Sequence, residues 1–203
     1  MRNPKILRLC ELALLVAVEI VMGLTPLGYL NLGIIAASLL TIPVAIGAIL
    51  LGPLESTLLG LVFGVISFIK GFTSTGLMTR AMYAASIPGS FVVTVVARVL
   101  MGLTVGLLVA WVRKKTSKDL LSSLVGGFGA PLLNTCFYMG LLMLLFYHSE
   151  YVQNLVSTTG ISNPILLIGF MVGTQALIEA VTCGILSIAV SKALQAALRK
   201  KNK

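Results

Sequence analysis

Twelve of the fifteen Lys and Arg residues of this 203-residue chain fall in three clusters, at the start, at residues 113–118 and from Lys192 to the end. Long, nearly uncharged apolar stretches run between them. With 58% hydrophobic and 10% charged residues and a mean hydropathy of +1.05, the chain has too little polar surface to cover a water-soluble globule of its size. Lipid must cover it, and the expected fold class is an all-α membrane protein. A crossing helix needs about 20 apolar residues. The chain therefore has room for six transmembrane helices in a compact bundle, with short loops and no soluble domain, as one unit over residues 1–203.

Breakers and polar runs divide the apolar sequence. The first helix is expected over Leu7–Leu24, stopped by Thr25 and Pro26, and a loop follows at Gly28, Tyr29, Leu30 and Asn31. The second spans Ile34–Leu51 with Pro43 as a kink, because proline removes a backbone hydrogen bond. Gly52 and Pro53 turn the chain into a third helix over Leu54–Ile69. A long loop rich in Thr, Ser and Gly covers Phe72–Ser86, with room for a short helix. Further helices span Gly89–Trp111, Leu120–Tyr147 and, after a polar segment from His148 to Asn163, Pro164–Leu194. Arg2, Lys5 and Arg8 ahead of the first apolar run resemble the start of a signal peptide, but Glu11 and Glu19 interrupt that run and more membrane segments follow. It is read as a retained helix.

An even number of crossings puts both termini on one side, and all three basic clusters with them. The positive-inside rule makes that side cytoplasmic, in a multi-pass protein of the cell membrane. The same placement argues against nucleic acid as a partner, since the basic residues sit at helix ends and not on one folded face. Cys10, Cys136 and Cys183 show no CxxC spacing and no nearby histidine, which disfavours a disulfide or a metal site. No Gly-rich run leads into Lys and Ser or Thr, so there is no P-loop for ATP. Neither HExxH nor GxSxG occurs, and the sole histidine, His148, falls in an external loop. The chain is expected to have no catalytic residues and no cofactor.

Away from the clusters only Lys70, Arg80 and Arg98 are basic. Arg98 precedes Arg113 by fifteen residues, Asn134 follows Asp119 by fifteen, and Glu179 precedes Lys192 by thirteen. At 1.5 Å per helical residue all three lie about 20 Å from the inner surface, near the middle of the hydrocarbon core. Helical spacing adds Thr94, Tyr138 and Gln175 on the same faces. Two readings of this layer stand open. Its members satisfy one another, as in an Arg98–Glu179 pair, or they line a polar cavity in which a small solute exchanges its water for Arg, Asn, Gln and Tyr contacts. Polar groups on three helices at one depth favour the cavity, because packing alone is served by small residues. Small residues four apart occur as Ala13 and Ala17, Gly60 and Gly64, and Gly102 and Gly106. The two glycine pairs are read as internal packing, and the alanine pair as a face for a partner.

Several of these segments resemble a known family, the substrate-binding S components of energy-coupling factor (ECF) vitamin transporters, over nearly the whole chain. Ala13 to Ala17 is similar to an AxxxA motif that docks on the transmembrane coupling subunit. The run from Thr41 to Ser67 resembles the segment joining the second and third helices of pantothenate-type members. Ala97 to Gly102 is similar to the start of their fourth helix, although alanine stands where proline usually precedes the arginine. Asn134 with Thr135, and Glu179 with Ala180, resemble pairs on the fifth and sixth helices. The resemblance implies a vitamin as ligand, a coupling membrane subunit and two cytoplasmic ATPases as partners, and delivery by reorientation of the whole subunit in lipid. Pantothenate is the first candidate. Arg98 would grip its carboxylate, with Lys70 and Arg80 as alternates; Asn134, Tyr138 and Gln175 would meet its hydroxyls and amide, and Glu179 would orient Arg98. Asn31 and the Phe72–Ser86 loop would act as lids. Folate, hydroxymethylpyrimidine and riboflavin are alternative ligands, and a stand-alone small-solute transporter is the alternative class.

Overall fold

A computed structural model describes residues 4–32, 35–74, 76–116 and 119–201. In chain order the elements are α1 (Pro4–Leu24), a 3-10 turn (Pro26–Gly28), β1 (Tyr29–Leu32), β2 (Ile35–Ser38), α2 (Thr41–Leu50), α3 (Pro53–Gly71), α4 (Leu77–Ala85), α5 (Ile87–Phe91), a π-helical turn (Val92–Val96), α6 (Ala97–Lys115), α7 (Asp119–Phe146), α8 (Glu150–Thr159) and α9 (Pro164–Lys201). The helical class stands, with one antiparallel hairpin added: Tyr29 pairs with Ser38 and Leu32 with Ile35.

That hairpin corrects the second helix. The sequence pattern places a helix from Ile34, whereas the chain stays extended to Ser38 and turns helical only at Thr41. Pro43 is then the third residue of α2, inside the first turn, where no intrahelical N–H is lost. It caps a short helix and does not kink a long one. At ten residues α2 is about 15 Å long, and it is buried from Thr41 to Ile49 except at Ile42. Backbone that never meets lipid does not have to be a full-length crossing helix.

By length and composition, four described helices suffice to cross a membrane: α3, the continuous Ile87–Lys115 run, α7, and Gln175–Leu194 of α9. A fifth is added if α8 and the first part of α9, which meet at 88°, count as one broken span. The expected six is thus not reached on these criteria: α2 is short, and α1 carries Lys5, Arg8, Glu11 and Glu19.

Local chemistry accounts for the boundaries. Gly52 has φ +124°, a conformation open to glycine at little cost, and Pro53 starts α3 with its φ already set. Ser86 caps α5 by accepting from the Gly89 N–H at 3.1 Å, and Asn163 Oδ1 accepts from Ile165 N at 2.9 Å at the start of α9. Gly160 closes α8 in the left-handed region.

Close backbone packing joins α3 to α6. A Cβ on Gly60 would overlap the Arg98 carbonyl, and one on Gly102 the Ser56 carbonyl. Ser56 Oγ also donates to Gly102 O at 2.8 Å. The two glycine pairs serve internal packing, as expected of small residues between membrane helices. At the basic end, Arg8 of α1 meets Glu55 at 2.6 Å and donates to Leu51 O at 2.7 Å, while Arg113 of α6 donates to Ile49 O. Arginines from two helices thereby satisfy carbonyls that the end of α2 leaves open.

Two apolar clusters fill the interior. One centres on α2 and joins Leu40, Val44, Leu59, Phe63, Met101, Val105 and Ala130. The other joins Met82, Val93, Leu142, Phe146, Val152 and Leu167. Large apolar side chains such as Leu14, Leu58, Leu107, Leu144 and Leu177 point outward on every long helix, an exposure too extensive for a surface facing water. Ala13 and Ala17 lie on the exposed side of α1.

Candidate functional site

Between the two clusters lies a polar layer. On α7, Ala130 belongs to the first cluster and Leu142 to the second; Asn134 and Tyr138, one helical turn apart, fall in between. On α6 and the π turn, Arg98 similarly separates Met101 from Val93. The spacing that keeps apolar residues on the inner face of a helix puts these polar ones on it too.

They open into a cavity of about 760 Å³ lined by Arg98, Asn134, Tyr138, Gln175 and Glu179, together with Ser38, Tyr151 and Phe170. A second chamber of about 380 Å³ is lined by Lys70, Ser67, Thr73 and Thr94, and shares Ser38, Arg98 and Tyr138 with the first. Of the residues expected at the site, five line the main chamber and Lys70 the adjoining one. Arg80 is exposed on α4 and lines a separate surface hollow with Phe72 and Tyr83, so it leaves the set of alternate cations. Asn31 lies in β1, and its side chain is outside the described part of the structure.

Arg98 is held from several directions. Its Nη1 donates to Val93 O at 3.0 Å. Val93 lies in the π turn, where Ala97 N–H bonds five residues back to Val92 O; such turns disturb the regular carbonyl ladder and are frequent at functional sites. The guanidinium carbon stands 4.2 Å from the Tyr138 ring centre and 5.2 Å from that of Phe63, within cation–π range. Its charge reaches the Glu179 carboxylate, which the Ser38 backbone and the Asn134 side chain also face.

Glu179 and Asn134 are 3% and 7% exposed. Glu179 Oε1, Asn134 Oδ1 and Ser38 Oγ are buried and have no hydrogen-bond partner among the described residues. Leaving such a group unmet costs about 1–3 kcal/mol. Glu19 on α1 is buried in the same condition but does not line the cavity.

At the separate hollow, Tyr83 of α4 donates to Phe68 O at 2.8 Å and packs against Phe68 and Phe72. Burial raises its phenol pKa above the ordinary value. Sequence reasoning missed Ser38, which it had placed inside a helix, and Phe63, whose apolar type marks it only as core. The β-branched run Val92–Val96, awkward for a regular α-helix, was the one available signal for the π turn.

No curated protein matches the chain. A family-wide sequence profile described as ECF transporter, substrate-specific component, matches residues 7–191, a range that holds most of α1, all of α2 to α8, most of α9 and every residue lining the two chambers. With that match, the outward apolar surface and the polar cavity between the helices, the chain belongs to the family of ECF transporter substrate-specific components.

Proposed function

We propose that this membrane protein is the vitamin-binding subunit of an ATP-driven ECF importer and that pantothenate is its ligand. The observation that carries the reading is Arg98, fixed by Val93 O and by two aromatic faces at the junction of two polar chambers. A guanidinium held in place grips a carboxylate at two points with little further loss of freedom. Asn134 and Gln175 supply neutral contacts for hydroxyls and an amide, Tyr138 lends its ring to Arg98, and Lys70 adds positive charge from the second chamber.

Family membership carries association with an ECF module of one coupling membrane subunit and ATPase subunits. The exposed Ala13 and Ala17 strip of α1 is the docking face in this proposal, since two small residues four apart let another helix approach closely. Six crossings with both termini cytoplasmic complete it: α1, the hairpin with α2, α3, α5 to α6, α7 and α9. The burial of α2 supports a second crossing made partly of extended chain.

A flat aromatic vitamin is the second reading, favoured by Tyr151 and Phe170 on the wall of the main chamber. Isothermal titration of the purified protein with pantothenate, riboflavin, folate and hydroxymethylpyrimidine separates the two. Tight binding of pantothenate alone is expected, and silence for it with binding of another vitamin replaces it.

A further inference from the structure

The cavity wall is chemically divided. Lys70 and Arg98, both cations, line the second chamber with the hydroxyls of Ser67, Thr73 and Thr94. In the main chamber, beyond Arg98 and Tyr138, stand Glu179 Oε1 and Asn134 Oδ1, buried acceptors with no hydrogen-bond partner among the described residues. Neither an amide oxygen nor an ionised carboxylate oxygen can donate. They are neighbours, since the Asn134 side chain faces the Glu179 carboxylate, and Ser38 Oγ stands unmet on the same wall. In proteins roughly nine in ten buried polar groups find a partner, so two unmet acceptors side by side in one cavity call for a donor from outside the chain. A metal ion fits poorly, because only one carboxylate is present and the Arg98 charge already acts on it.

We infer that the ligand is bipolar: an anionic group sits toward Arg98 and Lys70, and the opposite end carries two neighbouring donors, hydroxyl or amino, that complete Glu179 Oε1 and Asn134 Oδ1. The inference rests on the reading of this cavity as the substrate site and specifies the chemistry that site accepts. It assigns Glu179 a direct ligand contact in addition to any influence on Arg98. A site built around unmet hydrogen-bonding groups rejects analogues that lack their partners far more strongly than an apolar pocket rejects a missing methylene.

The test is titration of the purified, full-length protein with four probes. Pantothenate carries a carboxylate and two hydroxyls; β-alanyl-β-alanine carries a carboxylate and an amine. Pantothenol keeps the hydroxyls without the acid, and dideoxypantothenate keeps the acid without the hydroxyls. At least one of the first two is expected to bind, and removing either pole of pantothenate to weaken it about 100-fold or more. Glu179→Gln should weaken the bipolar ligand at least about tenfold, with no matching loss for dideoxypantothenate, which offers Glu179 no donor. Binding of the dipeptide with silence for pantothenate upholds the bipolar ligand and removes pantothenate from the proposed function. Equal affinity for pantothenate and its dideoxy analogue overturns the inference, even with the variant unfolded, because it is read on the unmodified protein. Silence of both bipolar probes in folded protein, or a requirement for a metal ion in binding, overturns it as well. Pantothenate binding that is indifferent to both Arg98→Ala and Glu179→Gln would instead show that the cavity is not the substrate site.

Discussion

The guanidinium of Arg98 rests 4.2 Å from the centre of the Tyr138 ring, so a charge on α6 is steadied by a π face from α7 at the level where the two apolar clusters separate. In a low-dielectric interior this contact offsets part of the cost of holding a cation away from water. It also fixes where an anion can approach.

Arg98→Ala is expected to weaken an acidic ligand about 100-fold, the scale of a charge-assisted hydrogen bond of ~1.5–3 kcal/mol. Arg98→Lys should recover only part of this, because an ammonium cannot present two parallel donors. Titration calorimetry, with circular dichroism to verify folding, reads both variants.

Tyr138→Phe keeps the ring under Arg98 and should bind ligand within about threefold of the parent, while Tyr138→Ala loses roughly 1–2 kcal/mol of cation–π support, or about 5–30-fold in affinity. A large loss with Phe would instead assign the hydroxyl, and not the ring, to the ligand.

Gly60→Ala sets a methyl group against the Arg98 carbonyl. Overpacking of this kind costs about 1–3 kcal/mol, and the melting temperature in detergent is expected to fall. Ligand affinity should fall with it, since the strained backbone carries Arg98. Gly140→Ala, whose added carbon meets no atom within 4 Å beyond its own stretch of helix, is the control and should lower neither, since alanine is the better helix former.

Ala13→Trp combined with Ala17→Trp should abolish ATP-driven vitamin uptake in cells while leaving ligand binding by the isolated subunit intact. The pair lies on the exposed side of α1 and does not line either chamber. Undiminished uptake would remove docking from this strip.

That Arg98, Asn134 and Glu179 gather around one cavity was legible in the sequence because a fixed helical rise turns residue counts into distances. All three lie on long helices, where that arithmetic holds. It failed between Gly28 and Thr41, where a short apolar run fits a buried strand as well as a helix and where the chain forms a hairpin. Ser38 was lost from the candidate site with it. Lys70 lines the second chamber and Arg80 a separate hollow, a difference the sequence does not carry, since a charge in a polar loop has no periodicity to fix its direction. The glycine pairs were legible as packing, but which backbone atoms they meet depends on how α3 and α6 register against each other, and no single segment encodes that.

The clasp of Arg8 and Arg113 on the last carbonyls of α2 has a mechanical consequence. Three helices are knotted together at the basic pole, whereas the opposite pole is roofed by a hairpin and two short helices, α4 and α8. On the proposed reading a solute enters through the roof, and the clasped pole forms the closed base of the bundle.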